Sequence, residues 1–149
     1  MIGLYHYIAA GLVAGFALLE LALRGRSFPP VVHWRLKGTA FMLLYFALAT
    51  YAPLFWDGWL GQYRLFAADT LPLWLQFVGG FLALELGIYA WHRTMHNTPL
   101  LWRWFHQMHH SAERVDIFGA FYFHPFDMVG WALLGSLCLV GGFGLSAEA

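Results

Sequence analysis

The sequence predicts an all-α, integral-membrane helical bundle of about four transmembrane helices with a cytosolic, histidine-bearing helical cap. Three observations predict it. Of the 149 residues, 60% are hydrophobic and only 11% charged, with a mean hydropathy of +0.59. Four apolar stretches are long enough to cross a bilayer. Six of the eight histidines fall between His92 and His124. Soluble domains run near 45–50% apolar and about 25% charged, and a chain this short cannot bury so much apolar surface in water. The formal charge of zero offers no basic field for nucleic acid. A single cysteine, Cys138, excludes an internal disulfide and a cysteine-built zinc site.

A bilayer-crossing helix needs about 20 residues. The expected spans are Gly3–Leu23, Gly38–Trp56, Leu71–Trp91 and Met128–Leu145, within a single membrane domain over residues 1–149. The first lacks a basic leader and a small-residue cleavage site, so it reads as a retained span. The loop "RGRSFPPVVHWRLKG" carries Arg24, Arg26, Arg35 and Lys37, whereas the next loop sets Asp57 and Asp69 against Arg64. The positive-inside rule places the first loop in the cytoplasm and the N-terminus outside. Counting onward puts Trp91, Arg93, Arg103 and Arg114 on the cytoplasmic face.

Thr70 and Pro72 mark the start of the third span, and its helix can run on through His96 until "NTP" stops it. Pro99 suits the first turn of a new helix capped by Asn97 or Thr98, expected to continue along "LLWRWFHQMHH" to about Glu113. His92 and His96 then share a face one turn apart, with Glu85 and Tyr89 on the same stripe. His106, His109 and His110 fall within a sector of about 100°, opposite Leu101, Trp104, Phe105 and Met108.

A lone histidine on an interfacial helix is an ordinary polar-face residue, and His6 and His33 are read so. Six imidazoles gathered in one segment are not. Neutral imidazole suits iron, zinc, copper and nickel, so the cluster reads as a metal centre without naming the metal. Arg93 stands where a zinc metalloprotease HExxH needs its glutamate. The paired Glu-x-x-His motifs of a ferritin-like centre are absent, as is a G-x-S-x-G nucleophile elbow. Haem held between two histidines would leave four unused, and a non-catalytic metal- or haem-binding membrane protein stands as the alternative reading.

"WHRTMH", "LLWRWFHQMHHS" and "FHPFD" resemble, in order, the motifs of the fatty acid hydroxylase/sterol desaturase superfamily of histidine-rich membrane di-iron oxygenases. The resemblance covers Leu82 to Leu145, with the histidine motifs within residues 82–127. It implies an O₂-dependent hydroxylase or desaturase acting on C–H bonds of a sterol or fatty acyl-type lipid. Two non-haem iron ions serve as cofactor, with zinc an ion the same imidazoles would accept. The implied ligands are His92, His96, His106, His109, His110 and, through "FHP", His124; no catalytic residue is assigned beyond them. Asp127 stands where relatives often have Glu, and Tyr122 where many have Arg. The implied partners are the lipid, O₂ and an external electron donor, a b-type cytochrome or ferredoxin-like protein. Family members continue with a further hydrophobic stretch and a last HxxHH cluster, so the chain reads as the N-terminal part of such a domain. Glu85, Glu113, Asp116 and Asp127 are the carboxylates able to accept from the histidines' other ring nitrogens. Trp91, Trp102 and Trp104 read as interfacial anchors.

Overall fold

The computed structural model describes residues 4–23 and 26–145, apart from the side chains of Tyr5 and His6. Expectations resting on the His6 side chain, on Arg24 and on the start of the first span at Gly3 therefore lie outside the described residues. Five helical runs organise the rest: α1 (Leu4–Ala22), α2 (Trp34–Tyr51, extended by a 3₁₀ turn over Ala52–Phe55), α3 (Leu73–Asn97), α4 (residues 99–110) and α5 (Pro125–Ser136, extended by a π-wound segment, Leu137–Phe143). Short helical turns at Asp57–Leu60, Gly61–Tyr63 and Ala68–Thr70 fill the connection from α2 to α3. Among the described residues there is no strand.

The helices Trp34–Phe55 (22 residues), Leu73–Asn97 (25) and Pro125–Phe143 (19) are long and apolar enough to cross a membrane. Among the described residues that makes three such helices, against about four expected. The first expected span coincides with α1, whose apolar stretch Tyr7–Ala22 is shorter. Large apolar side chains such as Leu43, Phe77, Phe81, Leu82 and Leu86 stand exposed along the helices. A surface of that kind is stable against lipid and an aggregation hazard against water.

The α3 ladder runs unbroken past Trp91 to Asn97, carrying HRTMH on the helix, and stops where Pro99 disfavours helix in the residue before it. Gly87 lets α3 and α5 approach closely: a Cβ there would lie 2.5 Å from the Cys138 sulfur, a typical use of small residues between membrane helices. The four most completely buried side chains are Met95, Met128, His106 and Asp127. They come from α3, α4 and α5, so the tightest packing lies directly behind the histidines.

The two ends of the bundle are tied differently. At one end the 65–69 segment runs along the close of the last helix. Leu65, Phe66 and Asp69 donate their N–H groups to the carbonyls of Gly141, Gly142 and Gly144 at 2.8, 3.1 and 3.0 Å. Those acceptors are C-terminal carbonyls that a helix leaves unpaired, and Gly144 ends the run with φ 64°, the left-handed cap that favours glycine. At the other end, Trp34 Nε1 donates to Asp116 Oδ1 at 2.8 Å and Arg114 Nη1 to the Pro29 carbonyl at 3.0 Å. The loop before α2 and the segment after the histidines thus share one end.

Candidate metal centre

Two helices with a tight joint between them build the site. Thr98 is extended (φ −117°, ψ 107°) at the N-cap, where its side chain makes no capping bond, and its carbonyl accepts the first bond of the new helix from Trp102 N at 2.9 Å. From there α4 is not uniformly α. Residues Trp102–His106 are π-wound between α turns at Pro99–Leu101 and Gln107–His110. Single π turns inside helices concentrate at functional sites because they re-aim the side chains that follow. The helix also ends at His110 rather than near Glu113. Ser111 terminates it by donating its N–H to the Gln107 carbonyl and its hydroxyl to that of Met108 at 2.7 Å, the local competition serine offers a helix.

The result is convergence. His92, His96, His106 and His110 each offer one ring nitrogen, and the four nitrogens lie within 4.8 Å of one another. His92 Nε2 and His96 Nε2 are 3.0 Å apart, and His106 Nε2 and His110 Nε2 are 3.1 Å apart. Two nitrogens each about 2.0–2.1 Å from one ion, at angles of 90–109°, sit roughly 2.9–3.4 Å apart. Both observed separations fall inside that window, so the donor set fits a bound transition metal.

Asp127 supplies the next layer. Its Oδ2 lies 3.1 Å from His106 Nδ1, and both side chains are almost wholly excluded from solvent. Donation from Nδ1–H to the carboxylate leaves the Nε2 lone pair directed at the group, the arrangement that fixes the tautomer of a metal-ligating histidine. Among the described residues, no other of the four candidate carboxylates hydrogen-bonds a histidine of the group. Glu85 and Glu113 are exposed. Asp116 is occupied by Trp34 Nε1, Arg114 Nε and Gly119 N.

Two expected members stand differently. The His109 ring stacks on Phe123 (centroids 4.3 Å apart, planes at 19°) and flanks the group, 5.5 Å from the His106 ring and 5.4 Å from that of His110. His124 does not join the four. Its Nδ1 accepts from Phe126 N at 3.2 Å, capping α5, and its ring lies against Phe126. Trp102 was read only as an anchor, yet its ring packs 5.1 Å from those of both His96 and His110. Its position four residues before His106 was the available signal.

Burial and mutual repulsion hold the three rings of α4, those of His106, His109 and His110, below the usual imidazole range. Burial, then the neighbouring imidazoles of His92, His110, His109 and His96, push His106 down to about 3. Burial followed by the His110 and His92 rings lowers His109, against a backbone hydrogen bond involving Tyr122, and burial with His96 and His92 lowers His110. Unfolded histidine titrates near 6.5. Between that value and about 3 the unfolded chain binds protons that folded His106 refuses, so stability is full above about pH 6.5 and declines as pH falls through this window. The thermal midpoint of the metal-free protein in detergent is expected to fall progressively from pH 7 to pH 4. A midpoint that rose or stayed level would contradict the buried neutral ring.

Residues 77–147 match the fatty acid hydroxylase family model. Over 80 residues, 54% of this chain, the sequence is 35% identical to the ornithine lipid hydroxylase OlsE of Rhizobium tropici. The chain spans 24% of the length of that relative. No solved structure matches. The likeness carried by the ordered histidine motifs is thus matched over residues 77–147, where the chain is similar to the fatty acid hydroxylase family.

Proposed function

We propose that the chain forms the histidine-bearing part of a membrane-bound, non-haem di-iron oxygenase that hydroxylates C–H bonds of a lipid. One observation carries this reading: four imidazole nitrogens gathered within 4.8 Å, in the stretch that matches the family. His92, His96, His106 and His110 would hold iron, with His109 next in reach, while zinc would suit the same donors. When bound, iron supplies the redox chemistry that couples O₂ and electrons from an outside donor, a b-type cytochrome or ferredoxin-like protein, to C–H oxidation. The protein's own residues position. Asp127 holds the His106 tautomer, the α3–α4 joint turns two pairs of rings toward each other, and Trp102 packs beside them. Because α3 carries His92 and His96 at the end of an apolar span, a lipid chain can reach the group without leaving the membrane. The name of the relative favours hydroxylation over desaturation. The test is to co-express the chain with iron and an electron-transfer partner under ¹⁸O₂ and examine membrane lipids by mass spectrometry. Lipids gaining one ¹⁸O, dependent on His96, support the reading. Metal bound without oxygen incorporation in any lipid would favour the non-catalytic alternative.

We further infer that the histidines face the cytoplasm, because the loop bearing Arg26, Arg35 and Lys37 shares their end of the bundle and basic loops stay inside. A cysteine introduced at Ser111, with Cys138 first changed to serine, is expected to resist an impermeant thiol reagent in intact cells. Ready labelling from outside would reverse the orientation.

A further inference from the structure

Two cavities of about 720 and 730 Å³ lie side by side at the histidine end, and they differ in chemistry. Both are of the size that takes a small ligand or a lipid segment. The first is lined by Phe16 and Leu19 of α1 with Leu23 just beyond its end, by Val115 and Ile117 of the loop, and by His109 and His110. It is an apolar space with imidazoles in one wall. The second carries Arg26, Arg35 and Arg114 together with Ser27. Glu20, Arg114 and Asp116 line both, so the two cavities adjoin.

The acids there are already engaged. Glu20 Oε2 accepts Ile117 N at 2.7 Å, and Asp116 takes Trp34 Nε1, Arg114 Nε and Gly119 N. Arg114 is paired with Asp116 and rests over the Phe28 ring. Among the described residues Arg26 and Arg35 have no such partner, and both are exposed. Arg35 also sits in the first turn of α2, which has no acidic residue there. A cation at that place opposes the helix dipole, whereas an anion is stabilised by it. Glu20 keeps its charge, since its partner is a neutral N–H, but Arg26, Arg35 and Arg114 outnumber Glu20 and Asp116, so positive charge is in excess on one side of a boundary whose other side is greasy and ends at the histidines.

We propose that these two cavities form one site for an amphiphile with an oxyanion headgroup, a carboxylate or phosphate held by Arg26 and Arg35, whose hydrocarbon part lies along α1 toward His109 and His110. This names the substrate class for the oxygenase reading and rests on that reading only for what happens at the histidines. Binding itself does not depend on metal.

The experiment uses the purified chain in phosphatidylcholine bilayers and measures by electron spin resonance the fraction of spin-labelled stearate, and of the corresponding neutral methyl ester, immobilised by the protein. Stearate is expected to be preferred by about thirtyfold, the scale of attraction for two arginines at a membrane surface. Arg26→Gln with Arg35→Gln should bring the two lipids within about twofold. Lys37→Gln removes a charge from the same end of α2 outside both cavities and should leave most of the preference. His96→Ala should also leave it, so failure of the oxygenase reading would be seen separately from failure of this one. Equal loss in Lys37→Gln would mean diffuse attraction and overturn the site. So would a preference that survives the double arginine change. Abolition by millimolar inorganic phosphate would mean that free anions, not lipids, occupy the arginines.

Discussion

Changing His96 to alanine is expected to weaken metal binding by about a hundredfold while leaving the bundle folded. The magnitude follows from sharing. Four-ligand sites bind zinc with an apparent 10–16 kcal/mol, so each ligand accounts for roughly 3 kcal/mol, a little over a hundredfold. The fold should survive because His96 is exposed and its recorded contacts are with the other rings and Trp102. The deletion should also relieve the crowding at His92 Nε2, 3.0 Å away. Metal content after purification, with a competitive chelator titration, would measure the loss, and helical circular dichroism would verify the fold. Retention of full affinity would mean that the four nitrogens do not share an ion. His124→Ala is the informative comparison, since a residue capping α5 should cost about 1 kcal/mol or less of stability and little metal.

The second large effect is expected at Asp127, which touches no metal. Asp127→Leu removes the acceptor for His106 Nδ1 in a wholly buried setting. An unpartnered buried donor costs about 1–3 kcal/mol, and loss of such an outer carboxylate typically costs 10–100-fold in metal affinity. Asp127→Asn retains a carbonyl able to accept from Nδ1–H, so it should lose much less of both. Thermal midpoints and chelator titrations on the two variants separate these cases. Equal losses would show that the negative charge matters; equal retention would show that the hydrogen bond does not orient the ring.

Much of this was legible from residue spacing. The length and apolarity of "LPLWLQFVGGFLALELGIYA" fixed a membrane-crossing helix, and Pro99 fixed its end, because both effects are local. The pairing of His92 with His96 followed from one helical turn. What spacing could not supply was tertiary. A helical wheel placed His109 and His110 as equals, yet the π turn and the ring of Phe123 distinguish them. It gave Asp116 and Asp127 equal standing, whereas one anchors Trp34 and the other backs His106, a difference decided by contacts 82 and 21 residues apart in the chain. His124 was drawn in by the likeness of "FHP" to a family motif, and its capping of α5 depends on an extended backbone at φ −65°, ψ 142° that no periodicity reveals.

The π-wound turn over Trp102–His106 makes the spacing between Pro99 and His106 matter more than the identity of what lies between. A π turn holds one residue more than an α turn would, and each residue advances a helix by about 100°. Losing one residue between Leu101 and Phe105 would let the run wind as ordinary α-helix, and by propensity alone it would be the better helix. Because the wider turn absorbs that extra residue, His106 and His110 would then keep nearly their present direction. Losing a second residue there would turn both rings by about 100°, away from His92 and His96, and so leave every histidine in the chain and still dismantle the centre. Insertions and deletions in this short run are therefore a sharper gauge of whether a related sequence keeps its metal than a count of its histidines.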